Sequence, residues 1–399
     1  MAPSAVTPPV QSGNELDSAA ITRELGQTTS ELIKNGKTES TLRPLDASKL
    51  KFTRTSTPMI VPAPGDPIIA TTSQCTDHMI TAVWKSSEGW SAPELKPYGN
   101  FSLPPTATVL HYVTECFEGM KTYCGYDGKL RLFRPDCNCQ RMVMSSVRCS
   151  LPAFDPKELE KLIIAMIAVD GPKWLPTPGS FLYLRPAMIG SGGALGFASP
   201  KEATLFVIST FKPHMDQKTG LKLLASTNGV RAWPGGFGYA KLGANYSPSL
   251  LANVTEAGAS NFFSVWKTPE GKIQLVTAPL DDKIILEGVT RRSILQLARE
   301  RLEDGKSGLE AIEIVERNFT MDEVVAAVKE GRIIEAFVAG TAFFVSALSV
   351  INYKEHDLQI PMALGEMGEY ASLIKSWLAN IMYGKEQHEW GVVIEEEQL

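Results

Sequence analysis

The chain has 399 residues, 44% of them hydrophobic, and a formal net charge of −5. That is enough apolar material for a large core shared between two domains. The mild charge, with no basic stripe and no apolar segment of spanning length, argues against nucleic acid and membrane as partners.

From Met1 to about Pro67 the chain is rich in Pro, Thr, Ser, Ala and Lys with few aromatics, which predicts a disordered extension over 1–67. Its first Arg is Arg23, unlike an Arg-rich presequence, so a cytoplasmic location is expected rather than a mitochondrial one. Order is expected to begin at His78, where MITAVW alternates as a strand, with a second strand over Val109–Tyr112. Asp127-Gly128 predicts a hairpin into LRLF, and Arg134–Arg148 has helical periodicity. Asp155 caps a further helix with Pro156 at its first position, an apolar face of Leu159, Leu162, Ile163, Met166 and Ile167, and Gly171 as its stop. The strands SFLYLRPAMIG and ATLFVIST complete a small α+β domain over 68–212. Between them GSGGALG lacks the third glycine of a nucleotide-binding turn, with Leu195 in its place, and reads as a plain turn.

A larger domain over 213–399 follows, with strands FFSVW and IQLVTAP joined by Pro269-Glu270-Gly271-Lys272. A helix starting after Gly288 would offer free backbone N–H groups to an anion. Glu310–Arg317 reads as a strand, Thr320 and Glu323 as a capping box, Ile333–Tyr353 as two strands broken at the AGTA turn, and Glu369–Tyr383 as a helix. Six cysteines read as reduced thiols, the C-x-C of Cys137 and Cys139 has no second pair for zinc, and the five histidines show no paired spacing, so no metal is expected.

One stretch, RAWPGGFGYAKLGANY from Arg231 to Tyr246, carries a single lysine and no acid. Glycines at 235, 236, 238 and 243 admit close backbone approach, and Trp233, Phe237, Tyr239 and Tyr246 supply walls. A partly desolvated lysine near a second cation such as Arg231 is a usable amine nucleophile toward carbonyls. A solvated loop lysine is the plainer reading of the same residues.

The run AKLGANY resembles the cofactor-lysine segment of the branched-chain amino acid aminotransferases, pyridoxal-phosphate enzymes of fold type IV, and RAWPGG is similar to their fungal members. The likeness extends in order from TDHMITAVW through LHYVTECFEGMK, LRLFRPDCNCQRM, FLYLRPAMIG, TEAGASNFF, LVTAPL, GVTRRS and AGTA to HEWGVVI. It implies a two-domain α+β fold of the D-amino acid aminotransferase type. It also implies pyridoxal 5'-phosphate as cofactor, a homodimer, and transamination between Leu, Ile or Val and 2-oxoglutarate, which yields glutamate.

By resemblance Lys241 is the catalytic, cofactor-binding lysine, and Glu256 holds the ring nitrogen protonated so that the ring accepts charge. Tyr246 faces the ring hydroxyl, and Arg141 pairs with the phosphate through its planar fork. Val289, Thr290 and Thr341 complete the phosphate cup, with Arg231 close by. Tyr112, Phe117 and Tyr183 match the substrate pocket, Thr341 and Ala342 the turn that holds the α-carboxylate, and Arg185 the residue that admits a second carboxylate. Phe343 and Ser346 stand where mammalian members have a Cys-x-x-Cys pair, so no redox switch is expected there.

One departure from the family is large. Only nine residues, Ser247 to Thr255, separate Tyr246 from Glu256, where the family has the rest of a helix and a strand. This motivates an impaired or non-catalytic paralogue as an alternative. The atypical STFKPHMDQ motivates another, an aminotransferase of fungal secondary metabolism.

Overall fold

The computed structural model describes residues 42–63, 65–196, 198–212, 219–225, 232–246, 260–305, 307–342 and 344–395, and Pro44–Leu399 clusters as one unit. Two sheets dominate it. The first takes β1 (Lys51–Phe52), β2 (His78–Lys85), β3 (Gly89–Trp90), β4 (Glu94–Pro97), β5 (Glu115–Phe117), β6 (Met120–Cys124), β7 (Leu130–Phe133), β8 (Phe181–Gly190) and β9 (Glu202–Thr210). The second takes β10 (Leu221–Ala225), β11 (Asn261–Lys267), β12 (Ile273–Thr277), β13 (Glu313–Glu316), β14 (Ile333–Gly340), β15 (Phe344–Tyr353) and β16 (His356–Gln359). A final strand, β17 (Gly391–Val393), returns to pair antiparallel with β7 in the first sheet.

The helices in chain order are α1 (Pro67–Thr71), α2 (Thr108–Tyr112), α3 (Pro135–Arg148), α4 (Pro156–Trp174), α5 (Val289–Arg301), α6 (Met321–Lys329) and α7 (Glu369–Met382). The first sheet runs β1-β4-β2-β9-β8-β6-β7-β17, and β5 pairs with β8 so that Glu115 faces Ile189 and Phe117 faces Ala187. The second runs β10-β15-β14-β11-β12-β13.

Much of this follows from local chemistry. The β6–β7 hairpin turns at Gly128, whose φ of 77° only glycine adopts without strain. In α4 the face Leu159, Leu162, Ile163, Met166 and Ile167 is fully buried, and each such side chain contributes about 1.5–3 kcal/mol. The Thr320–Glu323 capping box forms at the start of α6 in both directions.

Three expectations are corrected. Gly171 does not stop α4, which continues to Trp174. A Cβ there would lie 2.4 Å from Leu130 Cδ1, so glycine is needed for close packing on β7. Val109–Tyr112 is helix, not strand: Thr108 Oγ1 donates to the Gly190 carbonyl and Val113 closes the turn at φ 50°, contacts that override two β-branched residues. Order also starts before His78. Residues 1–41 lie outside the described part, but the chain joins the first sheet from Lys51 on. Leu45 is buried, β1 pairs parallel with β4, and the Thr55 amide donates to His78 Nε2 at 3.0 Å. Among the described residues no helix is long and apolar enough to cross a membrane and no acidic, His or Cys cluster could hold a metal.

The strand that leads into the AGTA turn also carries a titrating group. Glu335 on β14 is 2% exposed and accepts the amides of Tyr370 (3.2 Å) and Ala371 (2.7 Å) in the first turn of α7. Burial pushes its carboxyl up to about 7, against the pull of those two amides. A carboxyl raised on folding stabilises the protein below its unfolded value and loses that stability as pH rises through its folded value. Stability should therefore fall between pH of about 4.5 and about 7 by roughly 3 kcal/mol on account of this group. Glu335→Gln should remove that slope in denaturant unfolding at acid and neutral pH. Equal slopes in the two proteins would contradict the assignment.

Candidate active site

A strand of the first sheet, β5, and the helix α3 grip the segment that carries Lys241. The Lys241 amide donates to Ser145 Oγ on α3 (2.9 Å), and the Lys241 carbonyl accepts the Phe117 amide at the end of β5 (3.1 Å). Buried Asn245 fastens the same loop by donating to the carbonyls of Phe237 (3.0 Å) and Ala240 (2.8 Å). The backbone is thus held on both sides of the lysine.

The side chain is placed as closely. Lys241 Nζ donates to the Tyr246 hydroxyl at 2.9 Å and lies 4.8 Å and 5.0 Å from the ring centroids of Phe117 and Tyr246. Those rings sit 5.2 Å apart. Among the described residues no carboxylate pairs with this amine, so a half-buried lysine amine sits against two rings, one of them the phenol it donates to.

Arg141 stands next to this group. It is 8% exposed and bidentate to Glu118, which is 1% exposed, through Nε and Nη2 at 2.7 Å each, while Nη1 donates to the Glu287 carbonyl at 2.8 Å. Burial works against its charge, but Glu118 beside it, with Tyr246 and Glu287 further off, raises the guanidinium and keeps it protonated. The fork expected to face a phosphate is therefore closed on Glu118. Only the second N–H of each terminal nitrogen remains for another anion. Asn138 Nδ2 and the Gly119 amide also donate to Glu118, at 2.8 Å and 3.2 Å.

The start of α5 lies against the same arginine. Gly288 caps it without a side-chain bond, and Val289 and Thr290 are buried. A cavity of about 210 Å³ lies there, lined by Arg141, Glu287, Val289 and Arg292 among others. Thr341 lines a smaller cleft with Val289, Thr290, Asn138 and Lys121. In the following turn the Ala342 carbonyl accepts Lys121 Nζ at 3.0 Å, and that amine sits 3.9 Å from the Phe181 ring centroid.

Arg185 lies 4.4 Å over Phe117, donates from Nη2 to the Tyr183 hydroxyl at 3.2 Å, and has a buried Nε with no partner among the described residues. Gly119 makes room for that phenol, since a Cβ there would come 2.0 Å from the hydroxyl oxygen. Tyr112 is bound elsewhere: it is 40% exposed on α2, and its hydroxyl donates to the Leu195 carbonyl at 2.6 Å. Arg231 and Glu256 lie outside the described residues, as does the short link 247–255.

Lys241, Tyr246, Phe117, Tyr183 and Arg185 are thus brought together, with Arg141, Val289, Thr290 and Thr341 beside them. Sequence reasoning missed Glu118, Ser145, Asn138 and Lys121. A charged Glu118 inside the otherwise apolar run CFEGM was the available signal, because such a residue needs a buried cation for a partner. The donor set fits a ligand with an aldehyde at one end and a phosphate at the other. It offers a half-buried amine beside a phenol, an uncapped helix start and a buried arginine with N–H groups to spare.

Comparison with known proteins decides the family. The chain is 44% identical over 381 aligned residues to "Branched-chain-amino-acid aminotransferase, cytosolic" of Saccharomyces cerevisiae, covering 89% of this chain and 99% of that one. This chain belongs to the branched-chain-amino-acid aminotransferase family. It is also 42% identical over 375 residues to the mitochondrial protein of the same yeast, covering 88% of this chain and 93% of that one. Its fold, type IV, is that of solved members. One of them, a branched-chain amino acid aminotransferase from T.th. solved with pyridoxamine 5'-phosphate, superposes with a TM-score of 0.58 at 21% identity, over 79% of this chain and 98% of that one. No family model matches the chain. The 381 aligned positions exceed the 89% of 399 residues that this chain contributes, so the yeast relative carries residues within the match that this chain lacks. That excess is in keeping with the short Tyr246–Glu256 link.

Proposed function

We propose that this family member exchanges the amino group of Leu, Ile or Val with 2-oxoglutarate, giving branched-chain 2-oxo acids and glutamate, with pyridoxal 5'-phosphate held at Lys241. The observation that carries the reading is the Lys241 amine at 2.9 Å from the Tyr246 hydroxyl over the Phe117 ring, within the stretch that resembles the family's cofactor segment. The remaining N–H groups of Arg141 and the first amides of α5 at Val289 and Thr290, with Thr341, would take the phosphate.

When bound, the cofactor supplies an electron sink for the pair left on the substrate's α-carbon. The protein's own part is positional and protonic. Lys241 is the base that removes the α-proton and the acid that returns it, and Tyr246 steers its amine. Glu256 is assigned to the ring nitrogen. Phe117 and Tyr183 form an apolar wall suited to branched side chains, and Thr341 and Ala342 offer turn amides to the α-carboxylate. Arg185, with its Nε unpartnered among the described residues, suits the second carboxylate of glutamate.

A homodimer is part of the proposal. Leu110, Tyr112, Val113 and Leu195 are exposed together around α2, an apolar face that a second copy would cover. Cytoplasmic residence is proposed as well, although relatives named cytosolic and mitochondrial match about equally well.

The test is a leucine to 2-oxoglutarate assay on purified protein with added pyridoxal 5'-phosphate, alongside its visible absorbance. Glutamate formation from all three branched-chain amino acids is expected. Absorbance without turnover on them would favour the specialised secondary-metabolic reading, and neither signal would favour a non-catalytic paralogue.

A further inference from the structure

The mechanism above leaves Glu115, a half-buried acid beside Phe117, unused. Glu115 and Phe117 share a face of β5, since alternate residues of a strand point the same way, and Cys116 between them is buried in the core. Phe117 holds the lysine segment through its amide to the Lys241 carbonyl. Two residues back, Glu115 Oε1 packs so closely on Gly243 that a Cβ there would lie 1.5 Å away, and the carboxylate faces the Gly243 amide. Gly243 opens the short turn Gly243–Asn245 that delivers Tyr246 to Lys241. On its other side Glu115 lies in the field of Arg185, whose guanidinium stacks on Phe117. Burial raises the Glu115 carboxyl, with Arg185 and the Gly243 amide pulling it back.

We infer that Glu115 is a positioning residue that joins the two halves of the site, pinning the Gly243–Tyr246 turn to β5 while its charge faces Arg185. Among the described residues the β5 side chains that meet this turn are Glu115, at Gly243, and Phe117, at the Tyr246 ring, so losing the carboxylate leaves one contact of the two and loosens the placement of Tyr246 at the Lys241 amine. Neutralising it without shortening it keeps an oxygen for the Gly243 amide but frees Arg185 to meet an incoming carboxylate more strongly. This inference rests on the proposed transamination only for its kinetic half.

The test uses the full chain as wild type, Glu115→Ala and Glu115→Gln. In cofactor-free protein, trinitrobenzenesulfonate labelling of Lys241 is followed by peptide mass spectrometry. Glu115→Ala should label several-fold faster and lose about ten-fold or more in kcat for leucine. Glu115→Gln should return labelling close to the wild-type rate and lower KM for glutamate relative to KM for leucine. Wild-type labelling in Glu115→Ala, or labelling of Glu115→Gln as fast as that of the alanine variant, would overturn the inference. If melting curves show that Glu115→Ala does not fold, Glu115→Gln decides alone, and an unchanged ratio of the two KM values overturns it. A wild type that transaminates nothing refutes the proposed function, and the labelling comparison still reads Glu115.

Discussion

Lys241→Ala is expected to abolish transamination and the visible absorbance of bound cofactor while leaving the fold in place. The backbone around Lys241 is held by Ser145 Oγ, the Phe117 amide and Asn245, none of which involves its side chain. The loss should thus fall on chemistry rather than on stability. A lysine that serves as both attachment point and proton carrier acts in every half-reaction, and removing a unit of this kind costs several powers of ten in kcat. The check is kcat for leucine together with the melting temperature. Activity within a factor of about ten of wild type would mean that another base moves the α-proton.

Glu118→Ala should be the most damaging substitution that leaves Lys241 intact. Glu118 satisfies two donor positions of Arg141 and accepts from Asn138 and the Gly119 amide, all in a region closed to water. Removing one partner of a buried ion pair leaves the other charge without compensation and costs about 3–5 kcal/mol. The orphaned guanidinium would also swing away from the α5 start, so cofactor affinity should fall with stability. Denaturant unfolding and a cofactor titration measure both. A variant as stable as wild type with unchanged affinity would show that the pair contributes to neither.

Most elements with strong local signals were legible in the sequence. The Asp127-Gly128 hairpin, the capped start of α4, the Thr320–Glu323 box and the strands around AGTA all carry turn or capping chemistry that needs no tertiary contact to be read. What was not legible depended on partners far along the chain. β1 exists because Lys51 and Phe52 find Glu94 and Leu95, and α2 because Thr108 finds Gly190. Gly171 looked like a stop because its reason, the Leu130 side chain, lies on another element.

The site divides the same way. Lys241 and Tyr246 are five residues apart in one loop, so the resemblance carried them together. Arg141 was legible as a residue but not in its geometry, because the acid that takes its fork lies on the turn between β5 and β6. Ser145, one turn before the end of α3, shows in sequence only as a small polar residue, and its hold on the Lys241 amide emerges from packing.

The central claim is that Lys241 carries the cofactor despite the nine-residue link after Tyr246. The most direct measurement is borohydride reduction of the protein loaded with pyridoxal 5'-phosphate, followed by peptide mass spectrometry. The account predicts one phosphopyridoxyl group per chain, on Lys241. A stoichiometric label on any other lysine, or a fully active enzyme with Lys241 unlabelled, would contradict it.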